Sequence, residues 1–418
     1  MTGCRGFQTM LPRRKYHPQD HLSIGVDLNH SHGLACGELI FIGGQADIDA
    51  SATVTCPGDL EQQIRIAMDD VSKTLEGLGA DTRDLVKLTA FYVPEHDGSE
   101  AMVLDIMASH LGETGVPGPA VTLIPIETHC FNGLMFEIEG IAMRGQNGER
   151  LDRSAAWIAD GASLPPAFSQ SVRCGRMIFT SGQCALDDTG EIQTAGNLAE
   201  QSRIVLDKLQ RLLNCHGADL HDAVKANVFN VEPGEQEAWK EAALVRASYY
   251  SEPGPAATGL SLRRLERDGL MVRYDVIAMR GEDGSRLHRE TAWPSGHWDW
   301  PVHLPYRHGL KVGDLVFLGG QVSLTGEGAV IDPGKMKAQT VTAMENIEKV
   351  LAELGLGLEN IVKINTFYVG TQGEKDLQEN ASVRARYYRG PGPSSTGIPF
   401  PYLAYEDMLI EIDCVAMV

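Results

Sequence analysis

The chain has 418 residues, with 36 Lys+Arg against 56 Asp+Glu and a net charge of −20; at roughly 100 to 200 residues per domain, two to four domains are expected. With 43% hydrophobic and 22% charged residues the composition is that of an ordinary globular protein and a poor fit to disorder, while the acidic balance repels phosphate backbones and anionic lipid and makes nucleic acid an improbable partner. No apolar run reaches the ~18 residues of a transmembrane helix, and the first twenty residues lack the apolar core of a secretory signal, so no membrane association and a cytoplasmic location are expected.

In chain order, residues 1–21 read as an N-terminal extension. A first unit at 22–146 then carries a buried strand at 39–42, an amphipathic helix at 60–78, a β-branched strand at 86–93, and a second helix near 100–111. The turn Pro117-Gly118-Pro119 and two closing strands complete it. A connector at 147–161, rich in turn residues, reads as an exposed linker. A second unit at 162–282 repeats the order, with a strand at 177–180, a helix at 198–213, a strand at 224–231 and a helix at 237–250. After a second linker at 283–300, a third unit at 301–418 shows the same elements at 315–318, 336–354, 362–369 and 375–388. The repetition is literal at landmarks: Phe41-Ile42-Gly43-Gly44-Gln45 returns as Phe179-Thr180-Ser181-Gly182-Gln183 and Phe317-Leu318-Gly319-Gly320-Gln321, 138 residues further on each time. Such a triplication is the signature of a repeat architecture. Each unit is α+β, and three single sheets with helices on one face can cover one another's bare faces. The expected molecule is a closed ring with three-fold pseudo-symmetry.

The residues resemble the reactive-intermediate deaminase family (Rid, YjgF-type). The middle unit carries the entry segment Pro166-Ala167-Phe168-Ser169 and the strand ending Ser181-Gly182-Gln183, and the closing strand appears as Phe136-Glu137-Ile138-Glu139 and Ile410-Glu411-Ile412-Asp413. The resemblance covers most of the chain and implies chorismate-mutase-like units. Family members form homotrimers with pockets between subunits, and many hydrolyse imines or enamines, so this chain would be a covalent pseudo-trimer. It departs from the family where an Arg clamps the substrate carboxylate. Those positions are Val121, Ala257 and Ser395, none basic, although the neighbouring Thr122, Thr258 and Thr396 remain as candidate substrate-binding groups together with Ser395.

Glu137 and Glu139, like Glu411 and Asp413, lie two apart on a strand and share a face. The resemblance gives the first acid of each pair the task of positioning water, and a carboxylate held dry near another acid has a raised pKa suited to general acid–base work. Glu137 and Glu411 are therefore the candidate catalytic residues; the alternative for each is a solvated or ion-paired strand face. In the middle unit Arg273 takes the first position and Asp275 the second, so Arg273 either supplies an anion site or pairs with a carboxylate of an adjoining unit. The Gly-Gln pairs at 44/45, 182/183 and 320/321 read chiefly as sites of close backbone approach, and Gln63, Gln201 and Gln339 as amides tying down loops.

Eight cysteines without a CxxC pair read as reduced thiols. Histidines gather at 17, 21, 30 and 32 and at 297, 303 and 308, and His129 adjoins Cys130. They lack the acidic company of a metal site, so no metal is expected, and no phosphate-binding glycine loop or cofactor motif is present. The expected activity is addition of water to a C=N or activated C–N carbon of a small nitrogenous metabolite, with no cofactor. The alternatives are a small-molecule binding protein that has lost the reaction, and a hydrolase of an uncharged ring or amide in one specialised pocket. A self-contained pseudo-trimer implies a monomer or weak dimer of chains.

Overall fold

The computed structural model describes residues 11–18, 24, 26, 29–96, 98–112, 115–231, 236–370, 374–390 and 392–418. The first unit contains β1 (Arg13–Tyr16), β2 (Gly33–Cys36), β3 (Leu39–Ala46), α1 (Leu60–Gly77), β4 (Leu85–Tyr92), α2 (Ser99–Leu111), β5 (Ala120–Pro125) and β6 (Phe136–Met143). The second contains β7 (Arg153–Ala156), β8 (Ser171–Cys174), β9 (Met177–Thr180), α3 (Leu198–Asn214), β10 (Ala223–Val231), α4 (Gln236–Ala247), β11 (Ala256–Leu262) and β12 (Val272–Met279). The third contains β13 (Arg289–Ala292), β14 (Gly309–Val312), β15 (Leu315–Leu318), β16 (Gln321–Val322), α5 (Met336–Glu353), β17 (Ile361–Val369), α6 (Lys375–Arg384), β18 (Ser394–Phe400) and β19 (Ile410–Met417).

Local chemistry sets the element boundaries. The Asp59 side chain caps α1 by accepting from the Gln62 amide at 3.0 Å, and Asn197 does the same for Glu200 at the start of α3. Past the end of α1, Gly79 takes a φ of +76°, a left-handed conformation that glycine adopts without Cβ strain. Ile64, Met68, Val71 and Leu75 recur at three- and four-residue spacing and form the buried stripe of α1.

Each unit is one sheet. The orders are β1-β2-β3-β6-β4-β5, β7-β8-β9-β12-β10-β11 and β13-β14-β15-β19-β17-β18, with β16 also pairing β19. All neighbours are antiparallel except β4/β5, β10/β11 and β17/β18, which run parallel because a helix crosses over between them. Strand alternation sends Ile40 and Ile42 to the helix side, where they meet Met68 and Met107, and sends Leu39 and Phe41 to the opposite side. There Phe41, Phe179 and Phe317 join one shared core built from all three units. A second shared core holds Phe91, Phe229 and Phe367.

The seams close in a cycle. The Ser169 amide donates to Pro119 O at 3.0 Å, Arg307 to Pro255 O at 3.1 Å, and Ser31 to Pro393 O at 3.0 Å, so the second unit docks on the first, the third on the second and the first on the third. The segments expected to be exposed linkers each carry a strand: β7 pairs β8 and β13 pairs β14, as β1 pairs β2. Their leading arginines reach the preceding unit in the cycle. Arg153 donates to Leu85 O at 2.6 Å, Arg289 to Ala223 O at 2.7 Å, and Arg13 to Asn360 O at 2.9 Å. The physical reason is a sheet edge that would otherwise leave its backbone groups unpaired. Residues 1–10 and 19–21 of the N-terminal extension, His21 among them, lie outside the described residues.

Candidate active site between the units

Each seam is built round one buried lysine. Lys87 donates to Thr122 Oγ1 at 2.7 Å, Thr180 O at 2.8 Å and Asp275 Oδ2 at 3.0 Å. Lys225 donates to Thr258 Oγ1 at 2.6 Å, Leu318 O at 2.9 Å and Asp413 Oδ2 at 2.7 Å. Lys363 lies 2.5 Å from Thr396 Oγ1 and 2.7 Å from Glu139 Oε2. In each case the threonine hydroxyl donates in turn to the same carboxylate. The second acid of each strand pair is thus ion-paired across a seam, and Thr122, Thr258 and Thr396, read from the sequence as substrate-binding groups, spend their hydroxyls on that pair. Thr258 also lines the cavity described below. Ser395 accepts from Arg384 at 3.3 Å.

The first acids have no lysine of their own. Burial, reinforced by the charge of Asp413 and opposed by Lys225, pushes the Glu411 carboxyl up to about 8. Burial also pushes Glu137 up to about 8, with the charge of Glu139 adding to it and Lys363 and the Gly397 amide opposing it. The Gly-Gln pairs explain themselves here. A Cβ at Gly320 would stand 1.7 Å from Glu411 Oε1, and one at Gly44 would stand 1.9 Å from Glu137 Oε1. Glycine lets each carboxylate lie against the neighbouring strand. Gln63, Gln201 and Gln339 each brace a loop carbonyl and donate nothing to these sites: Gln63 donates to Gly133 O at 2.7 Å and accepts from Met135 N at 2.7 Å, and the other two do likewise.

The three seams have diverged. Between the first and second units, Arg273 is buried, pairs with Glu100 and Glu266 at 2.8 and 2.7 Å, and donates to Leu123 O. Its charge is met by two carboxylates. Between the third and first units, Glu137 sits 4.0 Å from His129 Nδ1, and burial pulls that imidazole down to about 4, so it is neutral. Burial also pushes the neighbouring Cys130 thiol far up, which keeps it protonated and unreactive at neutral pH. His17, His30 and His32 gather at this seam with ring centroids 5.4 to 5.8 Å apart.

Between the second and third units lies a cavity of about 350 Å³ with Glu411, Gly320 and Thr258 in its wall. Its lining also includes the aromatic residues Trp239, Trp298, Trp300 and Tyr306. Trp298 and Trp300 meet edge-on at 5.1 Å, and Trp300 stacks on His308 at 5.3 Å. Arg246 of α4 also lines the cavity, as does Asn230. Sequence reasoning singled out none of these four aromatic residues, nor Arg246, nor Asn230. A signal existed: Val245-Arg246-Ala247 and Val383-Arg384-Ala385 stand 138 residues apart, on the same period as the other landmarks.

The fold and seams define a single-chain trimer of α+β units whose candidate sites lie where one unit's closing strand meets the next unit's parallel pair. The chain belongs to the family described as endoribonuclease L-PSP, whose sequence profile matches residues 23–144, 163–279 and 300–418, and it is a three-repeat Rid/YjgF-type protein. It is 31% identical to a RutC family protein of Pyrococcus abyssi over 115 residues, 27% of this chain and 85% of the relative, and 30% identical to one of Pyrococcus horikoshii over 114 residues, 27% and 86%. A solved chorismatase structure shares the fold with a TM-score of 0.55 at 14% identity, covering 80% of this chain and 93% of that one. No helix among the described residues is long and apolar enough to cross a membrane.

Proposed function

We propose that the seam between the second and third units is the site of a Rid-type hydrolase. The observation that carries this is a buried carboxyl, Glu411, with its pKa raised to about 8 and set in the wall of a 350 Å³ cavity. A group in that range exchanges a proton readily at neutral pH. In the reaction, the Glu411 carboxylate takes a proton from water as its oxygen bonds to the C=N carbon. The protonated acid gives that proton to nitrogen, leaving a carbinolamine; the carboxylate then carries the carbinolamine hydroxyl proton to the same nitrogen as the C–N bond breaks, so ammonia leaves and the oxygen becomes the carbonyl of the product. No step requires a cofactor. Glu137 offers the same carboxyl at the third seam, whereas Arg273 at the first cannot accept a proton at any relevant pH.

The test is hydrolysis of imines generated in situ by an amino-acid oxidase. Glu411→Gln keeps the size and most hydrogen bonds while removing the base, so turnover should fall by about 100-fold or more with thermal stability little changed. Unchanged turnover in Glu411→Gln together with a large loss in Glu137→Gln would move the site to the third seam. Unchanged turnover in the double variant would end the carboxylate mechanism.

A further inference from the structure

Arg246 is 5% exposed, yet among the described residues no carboxylate lies within ion-pair distance of it. Its partners among the described residues are neutral hydroxyls: Nη1 donates to Ser202 Oγ at a long 3.4 Å, and the Tyr306 hydroxyl is in hydrogen-bond contact with it. Removing a guanidinium from water without a counter-charge is costly, and a folded chain normally meets such a group with an acid. This same chain does so at the first seam, where Glu100 and Glu266 flank Arg273. At the third seam Arg384, on the same period, is held by two hydrogen bonds to Asn380 Oδ1 at 3.1 and 3.0 Å and one to Ser395. Arg246 has neither arrangement. It faces a cavity instead.

Two further groups of the cavity wall are left wanting. Asn230 Nδ2 and Trp298 Nε1 are buried without a hydrogen-bond partner among the described residues, and buried polar groups in folded proteins are nearly always satisfied. Trp239, Trp300 and Leu304 add an apolar, flat-sided part to the wall, which suits an aromatic or similarly planar body.

We infer that Arg246 is the anion clamp of this seam, and that the cavity takes a carboxylate whose body is apolar and aromatic, with the acid end on Arg246 and the body between the tryptophans. The guanidinium presents a planar fork of donors that matches a carboxylate with two parallel bonds. Arg246 belongs to helix α4, so the acid end of the ligand lies against a helix and not on the strand pair. The inference rests on the reading of this seam as the reaction site only in calling that ligand a substrate.

The experiment is titration calorimetry with three probes: phenylpyruvate, which has both features; phenylacetamide, which lacks the charge; and pyruvate, which lacks the ring. Phenylpyruvate should bind at least ten-fold more tightly than either. Arg246→Gln should weaken phenylpyruvate at least thirty-fold and leave phenylacetamide unchanged, while Arg246→Lys, which keeps the charge but not the fork, should recover part of the loss. A melting curve for each variant separates misfolding from lost recognition. Equal binding of the charged and neutral aromatic probes, absence of phenylpyruvate binding, or wild-type affinity in a folded Arg246→Gln would overturn the inference. Glu411→Gln distinguishes the two readings: if it binds phenylpyruvate normally and also turns over imines normally, the reading of this seam as the reaction site is wrong while the clamp stands. If it abolishes turnover while folded Arg246→Gln binds as wild type, the clamp is wrong while the hydrolase stands.

Discussion

Glu411 and Glu137 each keep a proton in the folded chain that an unfolded chain would give up at ordinary acidity, because burial raises them from the usual 4.5 to about 8. Between those pH values the folded state binds more protons than the unfolded state, so stability falls as pH rises, by at most about 1.4 kcal/mol per pH unit for each group. Urea unfolding at pH 5, 6.5 and 8 should show that decline, and Glu411→Gln should make it shallower. An equal slope in wild type and variant would mean that Glu411 is ionised throughout. Strand alternation alone places Glu137 with Glu139, and Glu411 with Asp413, on one face, whereas picking the first acid of each pair came from the family resemblance. Which member of each pair would be lysine-bound was not legible: Lys87, Lys225 and Lys363 lie far away in sequence and meet those acids only across a seam. Arg246 was hidden for a different reason, since a helix face identifies a buried position and says nothing of whether its charge is answered.

Helices and central strands follow the hydrophobic period closely; α1, expected at 60–78, spans Leu60–Gly77, and β10, expected at 224–231, spans Ala223–Val231. The edge strands did not show themselves. Each is four residues long and carries few apolar side chains, as in Arg153-Ser154-Ala155-Ala156, so neither length nor alternation rises above a turn-rich connector. Their arginines make them more than edging. Arg289 donates to Ala223 O at 2.7 Å and Pro253 O at 3.0 Å, fastening the third unit's outer strand to the second unit. Arg289→Ala leaves those two carbonyls without that donor and should cost about 1 to 3 kcal/mol in chemical denaturation. A change below about 0.5 kcal/mol would show that water replaces the arginine at no cost.

At the scale of the molecule, three seams that close head to tail leave no seam surface to offer another chain, so the assembled particle should be one chain. Sedimentation should give a mass near 45.4 kDa, with modest dimerisation allowed; an obligate particle of three chains would contradict the ring. The ring also makes a strong prediction about its lysines. Lys225 and Asp413 come from different units and are 7% and 6% exposed, 2.7 Å apart, so each is the other's counter-charge in a place nearly closed to water. Removing one leaves the other buried and uncompensated, which costs about 3 to 5 kcal/mol, whereas replacing both with apolar residues of similar volume is often neutral. Lys225→Met should therefore destabilise the chain by that amount in urea unfolding, and Lys225→Met with Asp413→Leu should recover most of it. If the double variant is as unstable as the single, the lysine holds the seam through Thr258 and the Leu318 carbonyl, both within 2.9 Å of it, and the ion pair is secondary. If the single variant is as stable as wild type, the seam does not depend on the buried lysine, and the shared apolar cores around Phe41, Phe179 and Phe317 hold the three units together without it.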